Sequence, residues 1–224
     1  FATPPLEVDE AEFLKFRSVI GARPVWLAAS THKGEEEIIA AVHQQLAPRL
    51  PGLLTIVAPR HPVRVNDIKN IWARYDLSHQ LRSSGKLPTA DDDIYVVDTL
   101  GEMGMFFKLA PVTFLGGSLV QVGGHNVVEP MQMLSALIVG PYMESLRDIA
   151  PRLISKGAIA QVPNGDELSD MVQKLLQDSE LRAVQTAAAS TALAAEADAL
   201  NHILTAMTPV LERAGIWQRV QLAA

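Results

Sequence analysis

The stretch FLGGSLVQVGGHNVVEP (114–130) decides how the chain reads. It sets two glycine pairs, a His-Asn step and an Asn-x-x-Glu spacing between an apolar run and a helix-like segment. Paired glycines after a strand let the backbone turn sharply and approach a ligand closely, and a helix opening just beyond them aims free N–H groups and a positive dipole end at an anion. The stretch therefore reads as strand, loop and helix around a phosphate-bearing ligand. Its residues leave open which ligand that is.

Outward from this stretch the same unit repeats. Residues 25–29 (VWLAA) form a continuous apolar run bounded by Pro24 and Ser30, as expected of a strand covered on both faces. Residues 30–34 make the turn, and 35–50 a helix with Ile38, Ile39, Val42 and Leu46 on one stripe. Three glutamates sit in its first turn, where the dipole favours acid. A second apolar strand at 53–58, an exit loop Pro59-Arg60-His61-Pro62 and a helix at 63–75 follow. Further strands are expected at 79–83, 94–97, 112–115, 136–139 and 158–162, with a helix from the end of the 98–102 loop through 110 and helices at 145–155 and 166–177. A surface helix at 10–20 precedes them, and alanine-rich closing helices span 180–211 before Gly215-Ile216-Trp217. This alternation predicts an α/β fold: a Rossmann-like parallel sheet with helices on both faces, binding ligands outside the carboxyl ends of its strands.

Composition narrows the class. A chain of 224 residues, 48% hydrophobic and 20% charged, can bury one sizeable core. A formal net charge of -6 argues against nucleic acid as a partner, since a basic patch carries most of that affinity. Without cysteine there is no disulfide framework or thiolate nucleophile, which fits the cytoplasm. No run of about 18 apolar residues spans a bilayer. The chain starts at Phe1, and Thr3-Pro4-Pro5 with acidic neighbours reads as a linker over 1–9 from an upstream domain, leaving 10–224 as one domain.

Four strand-exit loops converge on one edge: Ser30-Thr31-His32, Pro59-Arg60-His61, Leu100-Gly101-Glu102 and Gly123 to Glu129. Arg60, directly after a buried strand, is a planar fork suited to phosphate. Thr99-x-x-Glu102 and Asn126-x-x-Glu129 both fit the capping box, and for Asn126 a capped helix start also presents amides to an anion. Glu129 can instead accept from ribose hydroxyls, and His125 can donate to an anion or only close the loop. No His, Asp and Glu spacing reads as a metal site, and neither a dinucleotide fingerprint nor a P-loop is present. There is also no nucleophile elbow, because Leu119-Val120 follows Gly117-Ser118.

At these residues the sequence resembles the C-terminal half of the bacterial Kdo transferases, GT-B glycosyltransferases that attach 3-deoxy-D-manno-octulosonic acid (Kdo) to a lipid A precursor. The likeness rests on AASTHKGEEE (28–37), PRHP (59–62), DTLGEMG (98–104), FLGGSLV (114–120) and GGHNVVEP (123–130), in that order, and covers nearly the whole chain. It implies a donor-binding domain for CMP-Kdo, with CMP contacts at Pro59, Arg60, Leu100, Gly101, Glu102, Asn126, Val127, Val128 and Glu129. Ser30, Thr31, His61, Gly124 and His125 are additional candidates. Where the family more often has Asn-Pro-Leu-Glu, this chain has Asn126-Val127-Val128-Glu129. The resemblance further implies inversion without metal or other cofactor, and a glutamate base in an N-terminal acceptor domain that carries the membrane association. The expected place is the cytoplasmic face of the bacterial inner membrane. A UDP-sugar transferase or epimerase of the same architecture, and a non-catalytic binding module, are the alternatives.

Overall fold

The structure, a computed structural model, describes residues 4–213. Seven parallel strands form one sheet in the order β3-β4-β2-β1-β5-β6-β7: β1 Val25–Thr31, β2 Leu54–Pro59, β3 His79–Leu81, β4 Ile94–Val96, β5 Val112–Leu115, β6 Ala136–Val139 and β7 Ala160–Gln161. Every pairing is parallel, so the expected Rossmann-like sheet is present. The strand order reverses between β1 and β5. That is the topological switch point, the place where open parallel sheets most often bind ligands.

Helices cover both faces. On one side α1 (Glu10–Ile20), α4 (Met103–Leu109), α5 (Val128–Gln132), α6 (Ala150–Ser155) and the first part of α8 (Ser179–Arg213) enclose Phe16, Leu27, Ile56, Tyr95 and Phe106. On the other, α2 (Glu35–Leu46), α3 (Val65–Arg74) and α7 (Gly165–Gln177) enclose Trp26, Ile39, Val57, Ile68 and Phe114. Adjacent residues of one strand feed opposite cores, as Trp26 and Leu27 do, which is why the strands read as unbroken apolar runs.

Several boundaries differ from expectation for local reasons. Helix α2 ends at Leu46 rather than residue 50, because Pro48 has no N–H to continue it. The segment 63–75 begins with a 3-10 turn at Pro62–Arg64 before α3. The helix expected over 145–155 is two pieces, a 3-10 turn at Glu144–Leu146 and α6, with Pro151 fitting the first turn of the second. The seventh strand is only two residues long. The alanine-rich segment is one helix, and Gly215-Ile216-Trp217 lies outside the described residues. Of the expected linker, Leu6 and Val8 lie against the core, and the Glu7 carbonyl sits so close to α4 that a Cβ on Gly104 would meet it at 2.5 Å. Among the described residues no helix is long and apolar enough to cross a membrane.

One buried titratable group sits away from the strand exits. His43 is 1% exposed, its Nδ1 lies 2.8 Å from Thr55 Oγ1 and its Nε2 3.5 Å from Asp93, and the Trp26 indole N–H donates to the same Thr55 hydroxyl. Burial holds the His43 imidazole below its ordinary value despite the Asp93 carboxylate. The unfolded chain therefore takes up a proton below pH about 6.5 that folded His43 refuses, and stability is lost as pH falls through that window. Thermal melts at pH about 7.5 and 5.5 should give a lower Tm at the acidic pH, and His43→Gln should flatten the difference. An equal or higher Tm at the acidic pH contradicts this reading.

Candidate functional site

The site is built where β1 and β5 leave the sheet. At the end of β1 the chain takes a rare turn: Ser30 has φ 55 and the register with β2 shifts between Ala29 and Thr31. A positive φ on a serine is a strained conformation of the kind that gathers at ligand sites. The shift brings the Arg60 N–H, at the end of β2, onto the Thr31 carbonyl at 3.0 Å, so the first two exit loops are joined directly.

Glu35 then ties β1's exit to β5's. Its carboxylate accepts the backbone N–H groups of Gly117 (2.7 Å), His32 (2.9 Å), Leu119 (3.0 Å) and Ser118 (3.1 Å), and the residue is fully buried. Burial pushes its carboxyl above the ordinary range while these four N–H groups pull the other way. Such close approach requires glycine at 116, where a Cβ would lie 2.6 Å from the Ser30 carbonyl and 2.8 Å from Glu35 Oε2. The first glycine pair of the opening stretch is therefore no phosphate cradle, because its amides are taken within the chain: Gly117's by the Glu35 carboxylate and Gly116's by the Ala29 carbonyl at 2.8 Å. Reading the three glutamates only as dipole partners missed this. Glu36 is equally buried and takes the Arg64 guanidinium at 2.8 and 3.1 Å, along with the Thr31 hydroxyl.

The second glycine pair turns the loop back on itself. Gly123 (φ 105) and Gly124 (φ 78) adopt left-handed backbone, and the Gly124 N–H donates to the Gly117 carbonyl at 2.8 Å. This places His125 over Gly117 with its Nε2 2.8 Å from His32 Nε2, and His61 lies edge-on to His32 with ring centroids 6.0 Å apart. Asn126 does not form the expected capping box: the cap position of α5 is Val127, and Asn126 instead closes a tight turn just before it, its Oδ1 accepting the Val128 N–H at 3.0 Å and its Nδ2 donating to the Glu129 carboxylate at 3.3 Å. Val127 and Val128 are buried, so any ligand contact from them falls to their backbone.

The third cluster is organised differently from its capping-box reading. Glu102 receives Arg82 through Nε (3.0 Å) and Nη2 (2.5 Å), and the Thr99 hydroxyl donates to the same carboxylate instead of capping α4. Arg82 and Thr99 hold that carboxyl below its usual range against the effect of burial. Leu100 and Gly101 stay exposed at the tip, with Gly101 at φ 86. This cluster reaches the others through the sheet edge, where β4 is β2's neighbour, and through packing of α4 on α5. The four exits from β4 to β5 span three strand spacings, about 14 Å, enough for an extended nucleotide-sugar.

Charge separates the cations at this edge. Arg64 and Arg82 are committed to Glu36 and Glu102, whereas the exposed Arg60 guanidinium has no hydrogen-bond or ion-pair partner among the described residues. Pro59 is buried beneath it and His61 is exposed beside it. Among the described residues no group of three His, Asp or Glu side chains is placed to hold a metal ion.

No family model matches the chain. It is 37% identical over 182 residues to the 3-deoxy-D-manno-octulosonic acid transferase of Rickettsia bellii, covering 81% of this chain and 43% of that protein. To the enzyme of the same name from Haemophilus influenzae it is 33% identical over 192 residues, covering 85% and 45%. The chain thus spans less than half the length of these relatives. Among solved structures, the C-terminal CMP-Kdo binding domain of WaaA from Acinetobacter baumannii matches with a TM-score of 0.78 at 28% identity, over 82% of this chain and 96% of that domain. HepE of Anabaena, solved with UDP and glucose, matches with a TM-score of 0.55 at 14% identity over 87% and 53%, which is a likeness of fold alone. Sequence and fold together place the chain in the 3-deoxy-D-manno-octulosonic acid transferase family, as the counterpart of its C-terminal domain.

Proposed function

We propose that this chain binds the donor CMP-Kdo for a two-domain transferase that passes Kdo to a lipid A precursor with inversion. The observation that carries the reading is Arg60: an exposed guanidinium at the end of β2 with no hydrogen-bond or ion-pair partner among the described residues, while the neighbouring Arg64 and Arg82 are already neutralised. A phosphate there gains a charge-assisted fork, a contact that strengthens as the CMP leaving group gathers negative charge. Leu100 and Gly101 form the outer wall, with Arg82 and Glu102 as a brace behind them, and Glu129 is left to face ribose hydroxyls.

In this reading the base is a glutamate of an N-terminal acceptor domain, so the chain alone binds CMP without turnover. That domain also carries the membrane contact, which puts the chemistry on the cytoplasmic face of the inner membrane. Crystals of the chain soaked with CMP test the placement. Nucleotide density with its phosphate against Arg60 and the 126–128 backbone is expected; an empty cleft there overturns the assignment.

A further inference from the structure

The His32 and His125 rings meet through their Nε2 atoms at 2.8 Å, with centroids 5.0 Å apart and planes 14° from parallel. These distances differ by 2.2 Å, close to two imidazole radii, so the rings lie tip to tip rather than face over face. Such a contact is an N–H···N hydrogen bond: one ring donates from Nε2, and the other accepts there and carries its own proton on Nδ1. Outwardly the neutral pair shows one N–H and one bare nitrogen. A single added proton turns the bare Nδ1 into a donor, keeps the central hydrogen bond and spreads one positive charge over both rings.

We propose that the His32–His125 pair is a second anion-binding group of the donor site, and that it takes up one proton from solvent when a phosphodiester occupies the site at Arg60. The proposal rests on the donor-site reading above. Its surroundings favour this behaviour. The loop after β2 brings Arg60, His61 and Arg64, and α2 brings Glu35 and Glu36, but Glu35 is spent on four amides and Glu36 on Arg64. Arg60 remains uncompensated. Burial above all, with repulsion from the neighbouring His61 and Arg60 added, holds both imidazoles below their ordinary value, so the free pair is neutral near pH 7. An anion beside Arg60 removes that repulsion and draws the proton in. The protonated pair then binds the anion more tightly, so affinity rises as pH falls.

The probe is the methyl ester of CMP, a phosphodiester that does not titrate near neutrality, whereas the second ionisation of CMP itself, near pH 6, would confuse the measurement. Calorimetry of the full 224-residue chain at pH about 7, in two buffers of different ionisation enthalpy, should show uptake approaching one proton per ester bound. The dissociation constant should rise about tenfold per pH unit above that. His32→Gln and His125→Gln should each abolish the uptake and weaken binding at neutral pH, with the gap to the parent chain closing at higher pH. Ester binding by the parent chain without proton uptake overturns the proposal, whatever the variants do, as does uptake that survives both substitutions. Failure of the parent chain to bind the ester at all counts against the donor-site reading itself.

Discussion

Glu35→Ala destabilises the chain by about 3 to 5 kcal/mol, which for a domain of this size lowers Tm by roughly 6 to 20 °C. The carboxylate is fully buried and accepts four backbone N–H groups from two loops, so its loss leaves those donors without partners in a place water reaches poorly. Each of these hydrogen bonds involves a charged acceptor, but the four share one side chain, so the total falls well short of four separate losses. Glu35→Gln recovers little, because one end of its amide presents N–H groups to N–H groups. Differential scanning calorimetry of the parent and the two variants decides the matter. A Tm within about 2 °C of the parent for Glu35→Ala would show that the β1 and β5 exits hold their places without this tether.

Arg60→Ala weakens CMP by about 1.5 to 3 kcal/mol, roughly ten- to a hundredfold in the dissociation constant, and leaves Tm unchanged. Both halves follow from one observation: the guanidinium is exposed and unpartnered among the described residues, so it supports no folded contact and is available to a phosphate. Arg60→Lys recovers only part of the affinity, since an ammonium lacks the two-pronged fit to phosphate oxygens. Titration calorimetry with a parallel melt checks the pair of outcomes. Unchanged affinity removes Arg60 from the site, and a large fall in Tm would mean that it serves the fold instead.

The sheet was legible because its strands are covered on both faces and read as short apolar runs; β5 and β6 match their expected bounds residue for residue. Helix ends were less legible where proline recast them, at Pro48, Pro62 and Pro151. The convergence of exit loops was readable, since in a parallel sheet strand order alone brings them to one edge. What sequence could not reveal is which polar groups satisfy one another. Glu35 looked like an ordinary acidic residue in a first helical turn, and three of its four bonds run to residues 82 to 84 positions later in the chain. The same holds for Arg82 behind Glu102, 20 positions away, and for His32 against His125, 93 positions away. The one usable hint was Gly116-Gly117: two residues without side chains at a strand exit mark a close approach, and here the approaching group is the chain's own carboxylate.

These partnerships also refine what the opening stretch does. Its first glycine pair locks β5 to β1, its second folds His125 onto His32, and Asn126 shapes the turn before α5. In the proposed reading, donor recognition falls on Arg60, the 100–102 turn and the 126–129 segment, together with the histidine pair.

Titration of the chain with CMP, UMP and UDP-sugars under one set of conditions tests the central claim most directly. CMP is expected to bind, UMP to bind more weakly and UDP-sugars not to compete; no binding of CMP, or a preference for UDP-sugars, would contradict the assignment of this domain to a CMP-linked donor.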